Sequence, residues 1–215
     1  MIRPTGADAG TRDRLAAFVS ARTMTRAAVG TLSQAQFDFS PRPGKWSIGE
    51  IADHLLLAEA LYREMIAHLV EAARAGRPTF QRRSFADVNV SPLHLPDSVM
   101  SWISAPLGLV SRMMPDALIG LMTEFPILPT RNPDVATPRR GRPAPELTAD
   151  LANSIARTRA LIEEHTDLDF DQLITEHPVM GRMDVAQVLT ILARHERRHQ
   201  RQMEAVRADL RFPAP

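Results

Sequence analysis

The sequence predicts an all-α protein: a four-helix bundle with a long, partly helical insertion between its second and third helices. Three observations carry that reading. Four segments place apolar residues at steps of three and four, the spacing of one buried helix face. Two of those segments open on capping boxes. No stretch alternates apolar and polar residues as a half-buried strand does. With 215 residues, 44% of them hydrophobic, the chain has enough apolar material for a core, and one domain spanning 1–215 is expected.

The first helix is expected over about 11–32, on a weak stripe of Leu15, Phe18, Val19, Val29 and Leu32. Pro41, Pro43 and Gly44 then break the chain. The second helix is expected over 47–75. Ser47 and Glu50 form its capping box, Trp46 and Ile51 have staple spacing, and its stripe is Ile51, His54, Ala58, Leu61 and Met65. Gly76 and Pro78 stop it. The third helix, over 146–165, carries Leu147, Leu151, Ile155, Thr158 and Ile162. The fourth, over 184–210, opens on Asp184 and Gln187 with Met183 and Val188 as staple. Its stripe runs Val185, Val188, Leu192, His195, His199, Gln202, Val206.

The insertion, 77–145, is too long for a structureless connection inside a compact domain. Asp97 or Ser98 can cap a short helix in it, and Pro115 suits the first turn of another. Its apolar residues, among them Met100, Trp102, Leu107, Met113, Met114 and Met122, read as packing, as an adaptable lid, or as a contact in a homodimer. From 129 to 145 the chain turns Pro- and Arg-rich, as an extended surface loop does.

Composition narrows the chemistry. There is no cysteine, so any metal must sit on His, Asp or Glu, and any thiol must arrive with a diffusible cofactor. The 26 basic and 25 acidic residues balance to +1, which gives no electrostatic case for a nucleic-acid partner. Arg supplies 25 of the basic residues and Lys45 the other; with abundant Ala and Pro this is the composition of GC-rich, bacterial coding. Residues 1–10 show no apolar leader, and the longest uncharged apolar run, 98–111, is shorter than a membrane span. No membrane partner and a cytoplasmic location are the default expectations.

His195 and His199 are the sharpest feature. Residues four apart on a helix share a face, with Cβ atoms about 5–6 Å apart, close enough to share one ion. Both fall on the apolar stripe, where imidazole nitrogens without partners cost about 1–3 kcal/mol each. His54 occupies a core-facing step of the second helix. Packing of the second helix on the fourth can gather all three around one point, a three-His site with open coordination positions. The alternatives stay open: Arg194, Arg197, Arg198 and Arg201 can mark a solvated face, and a core histidine is often merely hydrogen-bonded. His68 lies on the same stripe as His54 but about 21 Å along the helix, too far to share its ion. His177 reads as a turn residue, and His94 and His165 lack functional context. Glu50 is explained by capping, although it lies one turn before His54 and can orient a ligand or act as a base. Gln202, one turn past His199, is either a hydrogen-bond partner or a polar core position. No phosphate-binding Gly-rich loop and no Ser-His-Asp pattern stands out.

The run from Lys45 through Trp46, Ser47, Glu50 and His54 to Leu55 resembles the second-helix motif of the DinB-like superfamily. His177, Pro178 and Gly181, followed by 193–202 with His195 and His199, resemble that superfamily's last-helix motif. The resemblance covers the four helices and leaves 77–143 unmatched. It implies a four-helix bundle holding a divalent metal, often nickel or zinc, on His54, His195 and His199. It also implies a range of activities: thiol S-transfer, thiol-dependent isomerisation and hydrolysis, in a family named for damage-inducible, stress-response proteins. Two functions follow as expectations. One is a metal-dependent enzyme that activates a low-molecular-weight thiol, or water, against a small electrophilic substrate. The other is a non-catalytic module in which the metal clamps two helices and the insertion binds a partner or a second copy.

Overall fold

The computed structural model describes residues 9–82, 136–177 and 181–215. Four long helices form the bundle: α1 (Ala9–Val29), α3 (Ile48–Arg74), α4 (Ala144–Glu163) and α5 (Val185–Arg207), with a short α2 (Gln34–Asp38) between the first two. Around the bundle, α1 packs on α5, α5 on α3, α3 on α4 and α4 on α1. The expected helices are therefore present, with ends shifted by a few residues. Their starts follow local chemistry. The hydroxyl of Ser47 accepts from the Glu50 N–H at 3.1 Å while Glu50 accepts from the Ser47 N–H at 2.9 Å. Asp184 and Gln187 make the same reciprocal pair at 2.7 and 3.0 Å. At the far end of α3, Gly76 turns the chain with φ of 62°, a left-handed conformation that a Cβ disfavours.

The structure adds a small sheet that periodicity did not reveal. β1 (Phe80–Arg82) lies parallel to β2 (Ile174–His177), and β2 is antiparallel to β3 (Gly181–Asp184). Strands of three and four residues are too short to carry a period-two pattern. β3 runs directly into α5, so Asp184 is both the last strand residue and the helix cap. His177, read from sequence as a turn residue, closes β2 opposite Gly181. The expectations for residues 83–135, including the helix caps at Asp97 or Ser98 and at Pro115, His94 and the Met-rich apolar segment, lie outside the described residues. No helix among the described residues is long and apolar enough to cross a membrane.

The core is divided. One apolar cluster gathers Leu15, Phe18, Met65, Leu69, Ile162 and Leu192 with their neighbours. A second gathers Val29, Phe37, Ile48, Leu55, Leu147 and Met203. Along each of the four long helices a buried polar residue falls between the two: Arg22 on α1, Glu59 on α3, Ser154 on α4 with Thr158 one turn on, and Glu196 on α5. The Arg22 guanidinium meets Glu59 at 2.8 Å and Glu196 at 2.5 Å, and Thr158 donates to Glu59 at 2.6 Å. Thr25 donates to the other oxygen of Glu196. Burial pulls the Arg22 pKa down, but the two carboxylates outweigh it and leave the pKa raised, so the ion pairs stay charged. All four long helices are thus tied through one buried polar layer.

Candidate metal centre

Next to this layer, α3 and α5 bring three imidazoles together. Two turns in from its cap, α3 buries His54; α5 presents His199, also buried, and a half-buried His195. Their Nε2 atoms converge, with His195 at 3.2 Å from His54 and 3.0 Å from His199. The rings meet edge to face, with centroids 4.5 to 5.1 Å apart. Trp46, just before the cap of α3, stacks nearly parallel to His199 at 6.3 Å and tilts over His54 at 4.9 Å.

The second nitrogen of each buried ring decides what the converging atoms can be. His54 Nδ1–H donates to the Ala136 carbonyl at 2.8 Å, and His199 Nδ1–H donates to Gln202 Oε1 at 2.6 Å. In a neutral imidazole only one nitrogen carries hydrogen, so both Nε2 atoms present bare lone pairs. His195 has at most one Nε2 hydrogen to share between them. Protonation does not resolve the conflict, because all three pKa values are depressed. Burial is the largest cause at each ring, and it takes His199 down to about 3. At His195 the neighbouring imidazoles add to that effect, and the Arg198 charge adds to it at all three. Neutral histidines converging on one point, two of them held by the other nitrogen, are the donor set of a metal ligand cluster. Bond lengths of about 2.0–2.1 Å place ligand nitrogens about 3.0–3.3 Å apart around an ion, which these separations match. The three His residues are the group among the described residues that can hold a metal ion.

A family-wide comparison fits this geometry. The family model described as the DinB superfamily matches residues 17–203. The chain belongs to the DinB superfamily. The match runs from α1 to α5 and includes all three histidines; no curated protein and no solved structure matches the chain significantly.

In this DinB protein the exit of the insertion also builds the site. Asp53, adjacent to His54 and fully buried, accepts from the Arg139 N–H at 2.7 Å, the Arg139 guanidinium at 3.0 Å and Arg142 at 2.8 Å. Burial pushes the Asp53 pKa up, but these hydrogen bonds prevail and leave it lowered. Arg140 pairs with Glu50 at 3.2 Å. Residues 136–142 are thereby fastened to the first turns of α3, with the Ala136 carbonyl on His54.

The remaining sequence candidates separate cleanly. His68 is exposed, and His165 Nδ1 lies 3.0 Å from the Leu161 carbonyl. Glu50 is engaged by its cap and by Arg140. Gln202 is not a core position: it is exposed and orients His199, while the buried stripe of α5 passes instead through Glu196 and Met203. Residues 195–199 spell His-Glu-x-x-His, in which the glutamate of a metalloprotease serves as base. Here Glu196 turns away into the polar layer, both oxygens committed to Arg22 and Thr25. Sequence reading missed Asp53, Arg198 and the stacking role of Trp46. For Asp53 and Trp46 the available signal was adjacency to a ligand or a cap, which does not show direction.

Proposed function

We propose that His54, His195 and His199 hold a divalent metal ion, zinc or nickel, in an enzyme that activates a low-molecular-weight thiol for transfer to a small electrophile. The observation carrying this reading is the meeting of lone pairs whose tautomers are set by Ala136 and Gln202. An ion bound there supplies Lewis acidity, which lowers the pKa of a thiol ligand and makes thiolate available at neutral pH. The protein's own residues do the rest. Ala136 and Gln202 hold the rings in register, Trp46 shields them from one side, and His199 and Gln202 open onto a cavity of about 860 Å³. The sulfur comes from a diffusible cofactor, because the chain has no cysteine. Hydrolysis of a small substrate is the second reading. It has less support, because the nearby carboxylates of Glu196, Glu50 and Asp53 are all bound to partners and none is placed to act as base.

Elemental analysis of protein purified without a histidine tag should find about one metal ion per chain. A thiol-consumption assay with candidate electrophiles should then give turnover that is lost with His195→Ala. Undiminished turnover in metal-free protein overturns the reading.

A further inference from the structure

We propose that the cavity against the three histidines takes a small organic anion, its acidic group held by Arg198 and Lys45 and its other end directed at His199 and Trp46. The cavity is about 860 Å³, ample for a metabolite-sized molecule. Arg42, Lys45, Arg198 and Arg211 line it, against one carboxylate, Asp209. That carboxylate is already taken: Arg211 pairs with it at 2.8 Å and Arg42 adds its charge to the same group. Arg198 is half-buried and Lys45 exposed, and neither has an ion-pair partner among the described residues. The local excess is three positive charges in a chain whose total is +1.

A half-buried guanidinium without a counter-charge is unfavourable unless something else supplies one. Its own surroundings do not: burial and the neighbouring Arg201 both lower the Arg198 pKa. Arg198 and His199 line the same cavity, so an acid seated on Arg198 shares that space with the histidine cluster. A planar guanidinium fork suits a carboxylate or phosphate, which it can grip through two parallel hydrogen bonds. Trp46 offers a flat apolar wall for the remainder of the molecule. A dication on the histidines would add to the positive field and further favour an anion. The role of the ligand's far end rests on the proposed function, but capture of the acid by Arg198 does not.

Calorimetric titration of zinc-loaded protein with succinate, its neutral diamide and inorganic phosphate tests the proposal. Saturable binding of succinate is expected, weakened by salt, with none for the diamide. Binding of phosphate in its place identifies the acid as a phosphate and supports the same site. R198Q should weaken anion binding on the order of tenfold and K45Q by less, with metal content unchanged. Equal binding of the diamide, no saturable binding of either anion, or full affinity in R198Q overturns the proposal. Anion binding that vanishes in His195→Ala but survives in R198Q places the anion on the metal, and also overturns it. An Arg198-dependent anion site in a protein that consumes no thiol would sink the proposed function while leaving this inference standing.

Discussion

Neighbours in sequence, His195 and Glu196 face two polar clusters built on opposite principles. Glu196 enters a buried layer in which Arg22, Glu59, Thr25 and Thr158 pair with it or with one another, with Arg63 at its edge. His195 enters a cluster in which its Nε2, 3.0 and 3.2 Å from two bare lone pairs, carries at most one hydrogen for both. Both interrupt an apolar core, and both cost desolvation. The first draws its opposite charges from within the chain and ties four helices together. The second leaves at least one acceptor without a hydrogen, an arrangement that a bound cation would satisfy. The two differ without recourse to conservation: one buried network meets opposite charges inside the chain, and the other gathers acceptors at one point.

The largest effect is expected from Arg22→Ala, which leaves Glu196 buried without a cation and Glu59 with only the more distant Arg63 at 3.7 Å. Breaking such a pair costs about 3–5 kcal/mol, read as a fall in the urea midpoint. The triple variant R22M/E59M/E196M should lose less than the single one, since no charge is stranded in it. His195→Ala should instead abolish stoichiometric metal while, in chelator, unfolding within about 1 kcal/mol of the parent. If it unfolds like Arg22→Ala, the distinction between the clusters breaks. Metal-free protein should also weaken in acid. The histidine pKa values lie below the ordinary value of about 6.5, so between the two values the unfolded chain binds more protons. Stability should be intact above about pH 6.5 and fall as the pH drops towards about 3, the folded value of His199. Thermal melts across that interval, with and without zinc, should diverge most at its upper end. The smallest effect is expected from Gln202→Leu, which removes the acceptor for His199 Nδ1–H. It should weaken metal about 10–100-fold in a chelator competition and leave the melting temperature of the metal-free protein unchanged.

The same contrast explains what the sequence disclosed. His54, His195 and His199 were legible because imidazoles stood on steps otherwise filled by Ile51, Ala58, Leu192 and Val206, and the capping boxes fixed where each helix began. Arg22, Glu59 and Glu196 occupy equally regular core steps, but pattern reading assigns long charged side chains to the surface, so they passed as solvent-facing. On α1 the reading found only a weak stripe; Leu15, Phe18, Arg22, Thr25 and Val29 are its continuous buried face. The sheet went unread because its strands are too short for any period, and α2 because five residues display no stripe. Its own capping box, Ser33 with Gln36, was the one local sign of it. Contacts from 136–142 onto α3 depend on tertiary packing and leave no trace in local spacing.

Those contacts have a consequence for how such a chain can change over time. On one side of residues 83–135 stands β1, paired to β2, and on the other stand Arg140 and Arg142, bound to Glu50 and Asp53. Both moorings belong to the bundle side of the join. Lengthening a connection between fixed posts raises its closure cost only logarithmically. A change of length between those posts therefore adds little closure cost, and while the posts are kept His54 keeps its acceptor.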